Sequence, residues 1–146
     1  MSPNITIVVS QFNKEISTKL LNGALEAYKN IHGNTDSVNI IKVSGAFEIP
    51  GTVKQVIDND ENIAAIVTLG SVIKGETAHF EYISSSVTDS LSQLSIYAKI
   101  PIIYGILTTY TLKQAIERAD SNQLNKGGEV MQAALDSMHV YKNISN

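Results

Sequence analysis

Residues 70–83 read GSVIKGETAHFEYI and place Lys74, Gly75, Glu76, Thr77 and His79 within six positions. An imidazole titrates at about 6.5 and so suits proton transfer near neutrality. A glycine and a hydroxyl just ahead of a helix, with that helix's free N–H groups, make an anion site. Lys74 adds positive charge, and Glu76 opposes the anion unless its carboxylate points away. Three other short stretches carry residues of this kind. Phe12 lies in the polar turn SQFN, where a ring could stack on a flat ligand or cover a loop. Glu48 lies within GAFEIP, where a carboxylate could accept ligand donors or face solvent. Arg118, in QAIERA, could grip a phosphate with its planar fork or pair with Glu117 or Glu129. His79 itself could be a surface histidine at a helix start. His32, near a helix C-terminus, and His139, near the chain end, read most simply as surface residues.

The elements that must position these residues follow from periodicity. Four runs, ITIVV (5–9), VNIIKV (38–43), IAAIVTLG (63–70) and PIIYGIL (101–107), are nearly continuous in apolar residues. Such runs signal strands buried on both faces, as in a parallel sheet. Between them, Ile16, Leu20, Ala24, Ala27 and Ile31 recur at helical spacing, as do Phe80, Ile83, Val87, Leu91, Leu94 and Ala98. Gly33 is a C-cap for the first helix. Pro50 opens a short helix through Ile57. Two more helices cover Thr111–Ala119 and Lys126–Met138, the first with threonine N-caps available. The alternation predicts an α/β fold: a three-layer α/β/α sandwich on a four-stranded parallel sheet of flavodoxin-like order 2-1-3-4. In such sheets ligands sit beyond the C-terminal ends of the strands. SQFN, SGAFEIP, the 70–83 stretch and LTTYT are the four segments that follow strands, so they converge on one crevice.

Composition narrows the function. The 146 residues fit one domain, taken as 1–146. There is no cysteine, which excludes disulfides and thiolate chemistry. The net charge is −3 without a basic cluster, which argues against nucleic acid as a partner. No apolar run approaches the ~18 residues of a membrane span. MSPNITIVVS reads as a first strand and not a signal peptide, which favours a cytoplasmic setting. No phosphate-loop or dinucleotide fingerprint occurs, nor histidines and carboxylates at metal spacing. From the residues alone, the chain is an α/β domain for a small, anionic, planar ligand, with one candidate acid/base.

Taken together, FN after the first strand, GAFEIP after the second, GSVIKGETAHF after the third, and GILTT followed by QAIERA and NKGG resemble the 6,7-dimethyl-8-ribityllumazine synthase family. The resemblance runs from about Ile5 to about Met138. It implies condensation of 5-amino-6-(D-ribitylamino)uracil with L-3,4-dihydroxy-2-butanone 4-phosphate, the penultimate step of riboflavin biosynthesis, with no cofactor and no metal. It further implies that Phe12 stacks on the pyrimidine, that Ala46, Phe47 and Glu48 line the ribityl pocket, and that Val72 and Ile73 meet the heterocycle. Gly75, Glu76 through its N–H, and Thr77 would hold phosphate, with His79 moving protons. Tyr104 would pack on the ligand, and Arg118 and Lys126 would enter from a neighbouring subunit. The implied assembly is a homopentamer or a sixty-subunit shell of pentamers, with riboflavin synthase as a further candidate partner. A short connection from Arg118 to Asn125 leans toward the shell. The few residues before the first strand lean away from it, because they curtail a strand shared with a neighbour. Lys74 and Tyr104 stand where arginine and phenylalanine are common in the family. Two other readings share the fold class: a flavin-binding module, and a riboflavin synthase of archaeal type.

Overall fold

A computed structural model describes residues 2–146. The order is β1 (Ile5–Ser10), α1 (Lys14–His32), β2 (Val38–Val43), a 3-10 turn (Ala46–Glu48), α2 (Ile49–Asn59), β3 (Ala65–Ile73), α3 (His79–Tyr97), β4 (Ile102–Ile103), β5 (Ile106–Thr109), α4 (Leu112–Ala119) and α5 (Lys126–Ser145). All strand pairs are parallel, in the expected order β2-β1-β3-β4, with β5 also on β3.

Alternate strand residues feed two cores, as a sheet covered on both faces requires. Ile5, Ile7 and Val9 of β1 and Ala65, Val67 and Leu69 of β3 pack with Leu20, Ala24 and Tyr28 of α1 and Met131 of α5. Val8, Ile66 and Val72 face the other way, onto Ile49 and Val53 of α2 and Val87 and Leu91 of α3. The layers are therefore α1, α4 and α5 on one face and α2 and α3 on the other.

Two expectations need correction. The run VNIIKV is not buried on both faces: Asn39, Ile40 and Lys42 are exposed, because β2 pairs only with β1 and forms the sheet edge. The run PIIYGIL is not one strand but two, so the sheet has five strands and not four. Both pieces keep one register against β3, Ile66 opposite Ile102 and Gly70 opposite Ile106. At the break, the Thr68 hydroxyl donates to the Ile103 carbonyl at 2.8 Å and accepts from the Gly105 N–H at 3.2 Å. A Cβ on residue 105 would stand 2.3 Å from the Thr68 carbonyl oxygen, so only glycine fits there.

The helix boundaries have local causes. Gly33 ends α1 at φ 88°, its N–H on the Lys29 carbonyl, a conformation that costs glycine little. The Thr111 hydroxyl accepts from the Gln114 N–H at 3.1 Å and caps α4. The last helix continues past Met138 to Ser145. No glycine or proline stops it there, and its final turns run over the surface with Val140 and Ile144 exposed.

Candidate active site

The segments after β1, β2 and β3 meet in one cavity of about 660 Å³. Phe12, Ala46, Phe47, Glu48, Val72, Ile73, Gly75, Thr77 and His79 line it, joined by Ser44, Gly45, Ser71, Phe80 and Ile83.

Each wall has a local reason for its position. After β1, the Gln11 N–H donates to the Val43 carbonyl at 2.8 Å and the Phe12 N–H to the Ser44 carbonyl at 3.0 Å, which ties this loop to the one after β2. Asn13 then takes φ 57°, a left-handed conformation that asparagine tolerates better than most residues. The chain turns sharply into α1 and leaves the Phe12 ring 65% exposed. After β2, Gly45 is extended and starts the tight turn in which the Glu48 N–H donates to the Gly45 carbonyl at 3.2 Å. A Cβ on Gly45 would stand 3.3 Å from Glu48 Oε1, so the bare backbone makes room for the carboxylate. That carboxylate has no ion pair among the described residues and is exposed at the rim.

The third wall is β3 and its exit. The Ser71 side chain is buried, and its hydroxyl has no partner among the described residues. A buried hydroxyl without a hydrogen bond costs free energy, and the Ser10 and Ser84 hydroxyls, away from the cavity, share that condition among the described residues. Beyond Ile73 the chain leaves the sheet, and His79 is the first residue of α3. Its N–H donates to Thr77 Oγ1 at 3.4 Å, a long bond across the loop. Other first-turn N–H groups lack intrahelical acceptors, which leaves partial positive charge facing the loop. Gly75 and Thr77 line the cavity and Glu76 between them does not, so the acid in the middle of the anion segment is kept out of it.

Four expected site residues lie outside this chain's cavity: Glu76, Tyr104, Arg118 and Lys126. Tyr104 sits at the break between β4 and β5 with its hydroxyl 2.9 Å from that of Thr88. Arg118, half-buried on α4, donates from Nη1 to the Gln114 carbonyl at 3.1 Å and pairs with neither Glu117 nor Glu129. Lys126, at the start of α5, pairs with Glu129 at 3.2 Å.

The sequence reading also missed residues. Ser44 and Gly45 adjoin GAFEIP, and Ser71 opens the 70–83 stretch, so adjacency was their signal. Phe80 and Ile83 were assigned only to helix packing. They border the cavity while also packing against the core under α3, because α3 begins at the rim. Among the described residues no three His, Asp or Glu side chains cluster closely enough to hold a metal ion, and no helix is long and apolar enough to cross a membrane.

The cavity thus joins an aromatic and aliphatic half, a carboxylate at the rim, and an anion-favouring helix start bearing a histidine. The family model for 6,7-dimethyl-8-ribityllumazine synthase matches residues 2–142, nearly the whole chain. By that match the chain belongs to the 6,7-dimethyl-8-ribityllumazine synthase family, enzymes of the transferase class in riboflavin biosynthesis.

Proposed function

We propose that this single domain condenses 5-amino-6-(D-ribitylamino)uracil with L-3,4-dihydroxy-2-butanone 4-phosphate to 6,7-dimethyl-8-ribityllumazine. The amine adds to the ketone and loses water as a Schiff base. Phosphate is eliminated, the remaining enol becomes a carbonyl, and the ribitylamino nitrogen closes the ring with loss of a second water. The observation that carries this reading is the juxtaposition of Phe12, Glu48 and the Gly75–His79 segment around one cavity.

In this reading Phe12 stacks on the pyrimidine while Val72 and Ile73 cover its other edge. Ala46 and Phe47 flank the ribityl chain, and Glu48 accepts its hydroxyl donors. Gly75, the Glu76 N–H and Thr77 receive the phosphate and stabilise it as a leaving group. His79 shuttles the protons of addition and elimination. No residue forms a covalent intermediate, so holding two reactants together supplies much of the remaining acceleration.

Arg118, Tyr104 and Lys126 then act in the cavity of an adjacent copy. Arg118 makes no ion pair among the described residues of its own chain, which leaves its charge available. Tyr82 near the start of α3 and Ile96 and Tyr97 at its end are each more than 70% exposed, with polar residues between them. A homopentamer, alone or in a shell, is the arrangement proposed. A cytoplasmic setting and association with a riboflavin synthase belong to the same reading. The test mixes purified protein with both substrates and follows lumazine fluorescence. A rate no faster than the uncatalysed one would sink the proposal.

A further inference from the structure

Tyr110 has no role in the reaction above, yet its ring meets both ends of the segment that would hold the phosphate. It lies between β5 and α4 and is 67% exposed, so core burial does not explain its position. The Lys74 ammonium stands 5.6 Å from the ring centroid, within cation–π range. The Phe80 ring stands 6.1 Å away, tilted by 44°, within the roughly 4.5–7 Å centroid range of interacting aromatic pairs. Lys74 and Phe80 bracket Gly75–His79.

Little else restrains that segment. At its front the Lys74 N–H donates to the Thr109 carbonyl at 2.9 Å. Inside it, the His79 N–H donates to Thr77 Oγ1 at 3.4 Å, and at its back the Ala78 carbonyl accepts from the Tyr82 N–H at 3.3 Å. All five residues are exposed. Tyr110, by contrast, is fixed from behind. Its N–H donates to Gln114 Oε1 at 2.9 Å, and the Gln114 N–H is itself held by Thr111 Oγ1 at 3.1 Å.

We propose that Tyr110 is a positioning residue: its ring clasps Lys74 and Phe80 and holds Gly75–His79 in the shape that receives the phosphate. The inference rests on the phosphate site proposed above. The ring does this and not the hydroxyl, which makes no hydrogen bond among the described residues. Without the ring, the segment samples other shapes, and the arriving phosphate must order it, which weakens binding by the populated fraction.

The test compares Tyr110→Ala with Tyr110→Phe in the full chain. In Tyr110→Ala, KM for the butanone phosphate rises roughly threefold to tenfold, the scale of one exposed cation–π contact with one aromatic pair. KM for the ribitylaminouracil and kcat change less than twofold on the same grounds. Millisecond hydrogen exchange read by mass spectrometry shows faster exchange at residues 75–79, with the strands unaffected. Tyr110→Phe restores both readings to wild type. In an active enzyme, an unchanged phosphate KM or unchanged exchange in Tyr110→Ala overturns the inference, as does a Phe variant as impaired as the Ala variant. If the wild-type chain makes no lumazine, the proposed reaction fails, and exchange at 75–79 alone decides the clasp.

Discussion

On the face covered by α1 and α5 the chain leaves no space between backbones, whereas at the rim beyond β3 it leaves a cavity. A Cβ on Gly127 would stand 2.0 Å from the Leu20 carbonyl oxygen and 3.1 Å from the Ala24 nitrogen. A Cβ on Gly75 would meet nothing within 4 Å. Around Gly127 the packing is reciprocal: Asn125 accepts from the Gly128 N–H at 3.2 Å, and a Cβ on Gly23 would come within 2.4 Å of that same side chain. Around Gly75 the polar groups wait. The Ser71 hydroxyl is buried without a partner, and the Glu48 carboxylate lies at the rim without an ion pair among the described residues. Close packing fixes one region, and the other keeps open space lined by polar groups.

The largest way to break this comparison is Gly127→Ala. Alanine gains about 1 kcal/mol of helix propensity over glycine. The methyl, however, meets backbone, which cannot swing aside, and α1 and α5 must part. Overpacking of this kind costs about 3 kcal/mol, so a net loss of about 2 kcal/mol or more is expected from urea unfolding. Stability equal to wild type would mean that the helices have slack and that the contrast with the rim is false.

At the rim, the expected losses are in rate and affinity and not in folding. His79→Ala should lower kcat by roughly a hundredfold, the low end for a lost acid/base, because positioning of the two substrates survives. A kcat within twofold of wild type would remove His79 from proton transfer. Arg118→Ala should raise KM for the butanone phosphate roughly tenfold, the scale of one charge-assisted contact, with kcat little changed. An unchanged KM would take Arg118 out of the neighbouring site. Both variants should unfold at wild-type urea concentrations.

How far the sequence reached follows the same division. β1 and β3 were legible because both of their faces are buried, which leaves no charged residue in the run and only small hydroxyls, themselves buried. β2 was misread for the complementary reason: Asn39 and Lys42 are marks of an edge, and the continuous apolar pattern around them outweighed those marks. The break at Gly105 was hidden inside an apolar run, because the Thr68 hydroxyl that bridges it lies in a different strand. The rule that ligands gather at strand ends put Phe12, Glu48 and His79 around one crevice, and all three line one cavity. It could not place Tyr104, which stands opposite Thr68, well before the end of β3. The first turn of α3 was read only as helix, and helical periodicity does not show that Phe80 and Ile83 border a cavity as well as packing on the core.

The smallest effect sharpens the comparison most. Gly75→Ala is the same chemical change as Gly127→Ala, made where the backbone is not left-handed and where no atom lies within reach of the new methyl. Stability should change by less than about 0.5 kcal/mol, as for surface substitutions away from special features. The methyl does, however, enter the wall that would receive phosphate, and it stiffens a segment that must fit an anion closely. KM for the butanone phosphate should therefore rise a few-fold while the urea midpoint stays put. A fall in stability comparable to that of Gly127→Ala would show that the loop is packed after all. An unchanged KM with unchanged stability would move the phosphate away from Gly75 and toward Thr77 and the first turn of α3.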